Sequence, residues 1–144
     1  MKYILSFLLF FSLSTLSGAD FYDINWEDSY KEALAEAKIQ NKYVMVLITS
    51  KRCKWCKKLK RYTLTNDAVV NRLNDKFISV ELTRKRDDYP QKELRARAVP
   101  TTYFLDADGN KIMNRPVIGY WNVRNYLSQL DVVDYQIQRK EKKK

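Results

Sequence analysis

The chain of 144 residues contains no histidine, only two cysteines, three glycines and three prolines. Without histidine it cannot form the Cys–His pair of a cysteine protease, and a copper chaperone or a covalent haem site is not expected. A structural zinc site needs about four ligands, and two cysteines supply half of them, so only a symmetric dimer would complete one. The few glycines and prolines leave no flexible linker, and the length fits one domain.

The first nineteen residues have the pattern of a secretory signal peptide. Lys2 gives a positive start, residues 3–11 are almost wholly apolar, and Ala19 ends a stretch of small residues where a signal peptidase cuts. A transmembrane anchor is the alternative, but the apolar part is short against the roughly 20 apolar residues of a span. We therefore expect cleavage after Ala19 and a periplasmic or otherwise exported protein, with residues 20–144 forming a single domain. Export would place both cysteines where disulfides form and persist.

Basic residues outnumber acidic ones, 27 against 17, which gives a net charge of +10. Such a balance favours anionic partners such as acidic proteins or lipid head groups. The excess is concentrated around the cysteines and in a basic C-terminal tail over residues 139–144. We interpret the tail as a solvated end, and an exported protein is not expected to bind nucleic acid.

The two cysteines, Cys53 and Cys56, lie between an apolar run and a lysine-rich segment with helical spacing. The run Tyr43–Thr49 is typical of a central strand covered on both faces. A helix is expected to begin at Cys53 and to reach about Tyr62. A cysteine pair at the start of a helix that follows a central strand indicates a thiol–disulfide exchange site. A purely structural disulfide is the main alternative, but so short a loop would restrain little of the unfolded chain.

Hydrophobic periodicity and turn residues predict the other elements. The remaining helices are expected over residues 26–39, capped by Asn25, over residues 91–97 and over residues 123–137. A further short helix is expected to be capped by residues 65–67, with Val69, Val70 and Leu73 on its apolar side. Further strands are expected over residues 77–82, 102–105 and 111–117, with a hairpin turn at residues 106–110 joining the last two. Early strands alternate with helices and a hairpin follows, which predicts an α/β fold with a mostly four-stranded mixed sheet flanked by helices.

This order of elements resembles the thioredoxin fold over residues 25–138, with Cys53-Lys54-Trp55-Cys56 after the first core strand and Val99-Pro100-Thr101 before the hairpin. Within that fold the chain resembles exported thioredoxin-like proteins with a Trp-Cys-x-Trp-Cys-Lys-Lys-Leu motif. The redox-active C-terminal domain of DsbD, a membrane electron transporter, is also similar. The residues that match are Cys53, Trp55, Cys56, Lys57, Lys58, Leu59, Val99, Pro100, Thr101, Phe104, Leu105, Asp106 and Gly109.

The resemblance implies that Cys53 is the nucleophile and that Cys56 is the buried resolving thiol. At the front of a helix, a Cys53 thiolate would accept hydrogen bonds from unpaired N–H groups and lie near the positive helix end. The basic residues that surround the pair and would favour the thiolate are Lys51, Arg52, Lys54, Lys57 and Lys58. We therefore expect the pKa of Cys53 to lie below that of a free cysteine.

On the substrate side, the resemblance implies a cis peptide bond before Pro100. Pro100 would leave neighbouring backbone groups free to pair with an extended substrate, and Val99 would supply that contact. Trp55 and Tyr120 are expected to form an apolar rim against which the substrate packs.

One position departs from the thioredoxin pattern. Thioredoxins carry a buried carboxylate six residues before the first cysteine, where it accepts a proton from the resolving thiol, and here that residue is Leu47. Deprotonation of Cys56 must then depend on water, on Lys54 or Lys57, or on another carboxylate that the fold brings close.

Together these features predict an exported, monomeric thiol:disulfide oxidoreductase that uses no cofactor or metal. Its expected partners are protein thiols or disulfides, with a membrane-bound electron donor as a further candidate. Similarity to exported reductase domains favours a reductase, although basic residues that stabilise the thiolate shift the potential towards that of an oxidant. The alternatives are a disulfide-forming oxidase of the same fold and a non-catalytic binding module whose basic face holds an acidic partner.

Overall fold

The computed structural model describes residues 23–143, so the predicted signal peptide and its cleavage site lie outside the described residues. The elements follow in the order β1 (Trp26–Glu27), α1 (Tyr30–Gln40), β2 (Tyr43–Thr49), α2 (Lys54–Tyr62), α3 (Asp67–Lys76), β3 (Phe77–Thr83), β4 (Thr101–Leu105), β5 (Val117–Ile118) and α4 (Val123–Glu141). No helix within residues 23–143 combines the length and the apolar character that a membrane span requires.

The strands form one mixed sheet in the order β1-β3-β2-β4-β5. At its centre, β2 pairs in parallel with β3 and antiparallel with β4. Every residue of β2 after Tyr43 is buried, as expected for a strand covered on both faces. The predicted α/β class and the mixed sheet are confirmed. The sheet has five strands because short pairings, each of two residues, extend it at both edges.

Helices cover both faces of the sheet and divide the core in two. Met45 and Leu47 of β2 point to the face where α2, α3 and α4 pack, and Leu59 of α2 belongs to this cluster. The alternate residues Val46 and Ile48 point to the other face, which is covered by α1 and by the segment after β3. This alternation follows from the two-residue period of a strand, and it places α2 directly over one half of the sheet.

The start of α1 differs from the prediction of a helix over residues 26–39 capped by Asn25. The N-cap is Ser29, whose Oγ accepts a hydrogen bond from the Glu32 N–H at 3.2 Å and donates one to Glu32 Oε2 at 2.9 Å. The first of these bonds satisfies the Glu32 N–H in the first turn of the helix, which begins at Tyr30. The preceding Trp26–Glu27 is therefore left to pair in parallel with β3.

The helix predicted over residues 91–97 is wrong, and a turn ending at Leu94 takes its place. Carbonyl groups of this segment are bound by a distant side chain. Arg84 Nη1 donates to the carbonyls of Ala96 and Arg97 at 3.1 and 2.9 Å. Because these carbonyls have a tertiary partner, the segment does not depend on helical hydrogen bonds.

The strand predicted over residues 111–117 is also wrong in extent. After the hairpin turn, one bridge joins Leu105 to Lys111, and regular pairing is limited to Val117–Ile118. Pro116 lies just before this pair and has no N–H to donate to a ladder. The intervening residues form bends instead of a continuous strand.

Candidate functional site

Cys53 and Cys56 form a disulfide at the N-terminus of α2, with an S–S distance of 2.10 Å and Cα atoms 5.2 Å apart. Cys53 is the N-cap residue, and its Sγ accepts a hydrogen bond from the Cys56 N–H at 3.0 Å. The first N–H groups of a helix have no partner within the helix. The Cys53 sulfur accepts a hydrogen bond from one of them, as the side-chain oxygen of serine or aspartate does at other helix N-caps. The first turn of α2 carries no acidic residue. The arrangement therefore holds the Cys53 sulfur against the positive end of a helix dipole.

The two cysteines differ in access. Cys53 retains 8% of its surface and Cys56 retains 2%. Cys56 is buried, as predicted for a resolving thiol, while Cys53 is the more accessible of the two, although it too is largely covered in this disulfide form. A cavity of about 180 Å³ lies beside the pair and includes both cysteines in its wall.

The basic residues predicted to surround the pair lie at different places around it. All four side chains are exposed; Lys51 and Lys57 also line the cavity beside the disulfide, while Arg52 and Lys54 do not. Charges on exposed side chains are screened by salt, so their effect on the sulfur is smaller than that of the direct hydrogen bond.

The predicted aromatic rim is formed by Trp55, in the first turn of α2, and Tyr120, which follows β5. Their ring centroids are 6.1 Å apart, and Trp55 is 51% exposed. The Lys58 Nζ lies 5.1 Å from the Trp55 centroid and 4.6 Å from the Tyr120 centroid. A cation over two aromatic rings is attracted by both. Lys58 thus contacts the rim as well as contributing charge.

The peptide bond between Val99 and Pro100 is cis, which confirms the prediction. Pro100 is buried and Val99 is half-buried. The Pro100 carbonyl accepts a hydrogen bond from the Gly119 N–H at 2.8 Å, and Gly119 has a φ of +86° that favours glycine. Because Tyr120 is the next residue, this bond ties the segment before β4 to the aromatic rim.

Glu81 was not among the residues predicted for the site. It lies in β3, pairs in register with Leu47 of β2, and lines the cavity beside the cysteines. Its two carboxylate oxygens each lie 2.8 Å from the Nζ of Lys60, and Thr49 donates a hydrogen bond to Oε1 at 3.0 Å. The sequence signal that could have found it is a single charged residue within β3, whose other residues are uncharged.

Comparison with known proteins agrees with this geometry. The family model of the thioredoxin-like domain matches residues 30–133. The thiol:disulfide interchange protein DsbD of Yersinia enterocolitica (serotype O:8 / biotype 1B) is 33% identical over 101 residues, which are 68% of this chain and 17% of that protein. The chain therefore corresponds to only a small part of this relative's length.

Solved structures share the fold. A thioredoxin from Thermus thermophilus superposes with a TM-score of 0.65 at 24% identity, covering 77% of this chain and 87% of that one. The C-terminal domain of DsbD from Neisseria meningitidis, in its oxidised form, superposes with a TM-score of 0.55 at 18% identity, covering 70% and 89%. These likenesses confirm the fold that the sequence motifs implied.

Proposed function

The chain belongs to the thioredoxin-like domain family, and from this membership we propose that it is an exported thiol:disulfide oxidoreductase that reduces protein disulfides. The observation that carries the proposal is the Cys53–Cys56 disulfide at the start of α2, with the Cys56 N–H donating to the Cys53 sulfur at 3.0 Å. Two cysteines so placed form the dithiol–disulfide pair that this exchange requires.

In the reduced form, the Cys53 thiolate attacks one sulfur of a substrate disulfide. A bond forms between Cys53 Sγ and that sulfur, and the other substrate sulfur leaves with the electron pair and takes up a proton. Cys56 then attacks Cys53 Sγ, the disulfide of the protein forms, and the second substrate thiol is released. The dithiol has passed two electrons to the substrate.

The helix start supplies the conditions for the first step. The hydrogen bond from the Cys56 N–H and the helix dipole favour a charged sulfur at Cys53, which lowers the pKa of its thiol. We propose that Lys51, Arg52, Lys54 and Lys57 assist this effect. Lys51 and Lys57 contribute most, because they line the cavity beside the sulfur.

Substrate binding is proposed at the rim and at the cis-proline segment. Trp55 and Tyr120 offer apolar surface beside the disulfide, as their packed rings and the exposure of Trp55 support. The backbone around Val99 and Pro100 would pair with an extended segment of the substrate, by the strand-addition mode of recognition.

Export and direction are parts of the same proposal. The pattern of residues 1–19, with cleavage after Ala19, supports export to the periplasm or an equivalent compartment. The similarity to DsbD, a thiol:disulfide interchange protein, supports thiol–disulfide exchange, and we propose reduction of protein disulfides as its direction. A membrane-bound donor would return electrons to Cys53 and Cys56, and the protein would act as a monomer without a cofactor.

Paired cysteine variants test the proposal. Cys53→Ser is expected to abolish insulin reduction, and Cys56→Ser is expected to trap substrate proteins as mixed disulfides on Cys53 in extracts of the exported compartment. The double variant is the matched control, because it lacks the attacking sulfur and should trap nothing.

Two results would contradict the function. One is the absence of any thiol-sensitive adduct on the Cys56→Ser variant. The other is a Cys53→Ser variant that still reduces insulin at the wild-type rate. A Cys53→Ser variant that keeps an acidic partner bound would instead favour the binding module with a basic face.

A further inference from the structure

The exchange steps require Cys56 to lose a proton, and the position that carries the acceptor in thioredoxins holds Leu47. We propose that Glu81 accepts this proton, through water in the cavity beside the disulfide, and that Lys60 holds its carboxylate in place. The inference rests on the proposed function. It assigns a role to a residue on a different strand from the one where the family carries its carboxylate.

Strand register places Glu81 next to the position that lacks a carboxylate. Leu47 of β2 and Glu81 of β3 are paired residues in a parallel ladder, so their side chains point to the same face of the sheet. Leu47 packs in the cluster that includes Leu59 of α2. The Glu81 carboxylate therefore reaches the sheet face that α2 covers, one strand away from the usual position.

Hydrogen bonds aim the carboxylate at α2. Lys60 lies four residues after Cys56, on the same side of α2, and its Nζ is 2.8 Å from each oxygen of Glu81. Thr49 binds Oε1 at 3.0 Å. A carboxylate offers about four lone-pair directions. Within the described residues Oε2 accepts only from Lys60, which leaves a direction for a water molecule.

The cavity holds other titratable groups, and they do not compete for the proton. Its wall includes Lys51 from the turn after β2 and Lys57 and Lys60 from α2, and Glu81 is the one carboxylate among its lining residues in residues 23–143. A protonated lysine has three donors and no acceptor. The cavity of about 180 Å³ has room for water, which needs two to four polar partners.

The proposed step conserves protons and electrons. In the mixed disulfide, Cys53 Sγ is bonded to a substrate sulfur and Cys56 is a thiol. The Cys56 proton passes through water to Glu81, and the Cys56 thiolate attacks Cys53 Sγ. The bond from Cys53 to the substrate breaks, and the substrate sulfur leaves with the electron pair. That thiolate takes the proton from the Glu81 carboxylic acid, or takes one from solvent while Glu81 releases its own proton to solvent, and by either route Glu81 returns to its ionised state.

Glu81→Gln separates the two chemical steps. Glutamine keeps the size of the side chain and an oxygen for Lys60 and Thr49, but it cannot take up a proton. The first step is followed as adduct formation with a model disulfide in the Cys56→Ser background, and resolution is followed as release of the second thiol by the protein with both cysteines. We expect Glu81→Gln to slow resolution at neutral pH by at least about tenfold, as for loss of a general base. The rate of the first step, adduct formation in the Cys56→Ser background, should change by less than about twofold.

The pH profile distinguishes proton transfer from a structural role. Resolution by Glu81→Gln should rise with pH until it approaches the wild-type rate, because hydroxide then replaces the missing acceptor. Glu81→Asp should be intermediate and keep the wild-type profile. Asp108→Asn is the matched control, since it removes a carboxylate 3.1 Å from the Lys38 Nζ on the surface, and it should leave both steps unchanged.

Three outcomes would decide the inference. Equal resolution rates for wild type and Glu81→Gln across the pH range would overturn it, while the proposed function would stand. A Cys56→Ser variant that forms no adduct with any disulfide would instead overturn the proposed function. If Glu81→Gln does not fold, Glu81→Leu, which also removes the carboxylate, carries the test, and an unchanged resolution rate in that variant contradicts the role.

Discussion

Trp55 packs against Tyr120 beside the disulfide, with ring centroids 6.1 Å apart, although one residue lies in α2 and the other follows β5. Lys58 lies over both rings, and Gly119, next to Tyr120, is hydrogen-bonded to Pro100. The helix that carries the cysteines and the cis-proline segment are thus connected through one surface.

Removing either ring should weaken binding of protein substrates more than it slows chemistry. We expect Trp55→Ala and Tyr120→Ala to raise KM for insulin by about fivefold, equivalent to about 1 kcal/mol of binding. The rate with a small disulfide such as hydroxyethyl disulfide should change little, because it reaches the sulfur without using the rim. Tyr135→Ala removes an exposed ring of α4 and serves as the control. An equal loss of activity with insulin and with the small disulfide would show that the rim does not contribute specifically to binding of protein substrates.

The hydrogen bond between Tyr43 of β2 and Glu141 at the end of α4 predicts a loss of stability at high pH. The Tyr43 hydroxyl donates to Glu141 Oε1 at 2.6 Å. Burial, this hydrogen bond and the negative charge of Glu141 raise the pKa of Tyr43 to about 12. An unfolded tyrosine has a pKa of about 10. The stabilisation is therefore complete below about pH 10 and is lost as the pH rises through about 12.

Tyr43→Phe removes the ionisable hydroxyl and therefore this dependence of stability on pH. The difference in free energy of unfolding between wild type and Tyr43→Phe, measured by urea denaturation, should narrow between about pH 9 and pH 12. A constant difference for Tyr43→Phe over the same range contradicts the assignment.

The Ser29 N-cap of α1 predicts a measurable stability effect far from the cysteines. Ser29→Ala removes the acceptor for the Glu32 N–H and the partner of the Glu32 carboxylate. We expect a loss of about 1 kcal/mol in the free energy of unfolding. Asn25→Ala should have less effect on α1, because Asn25 does not cap the helix. A larger loss of stability in Asn25→Ala than in Ser29→Ala would contradict the assignment of Ser29 as the N-cap and favour the helix start predicted from the sequence.

Local patterns were sufficient to predict the elements that hold the cysteines. The bounds of β2 match the apolar run Tyr43–Thr49, and α2 ends at Tyr62. The first helix, predicted to end at residue 39, ends at Gln40, and Asn41 after it has the left-handed φ of 52°. Each of these features depends on residues close together in the chain.

Features that depend on distant residues were not predictable in this way. Residues 91–97 have a helical pattern, but Arg84 binds two of their carbonyls. The position of Glu81 depends on its register with Leu47, which no local pattern reveals. The sequence indicated that a carboxylate was missing from its usual position and could not indicate which strand supplies another.

The direction of electron flow is tested by the reduction potential of the Cys53–Cys56 pair. A reductase should have a potential below about −150 mV, measured by equilibration with glutathione redox buffers. Lys58→Ala and Lys57→Ala report how much the nearby charges contribute, since removal of a charge that stabilises the thiolate makes the potential more negative. A value well above −150 mV would favour the oxidase of the same fold.

The central claim is that Cys53 is held as a thiolate at the start of α2. It is tested most directly by the pH dependence of Cys53 alkylation with iodoacetamide in the reduced protein, located by mass spectrometry. The account predicts that Cys53 titrates below the value of about 8.5 for a free cysteine, and that the same protein in urea titrates near that value. A folded-state pKa of Cys53 at or above the free value would contradict it.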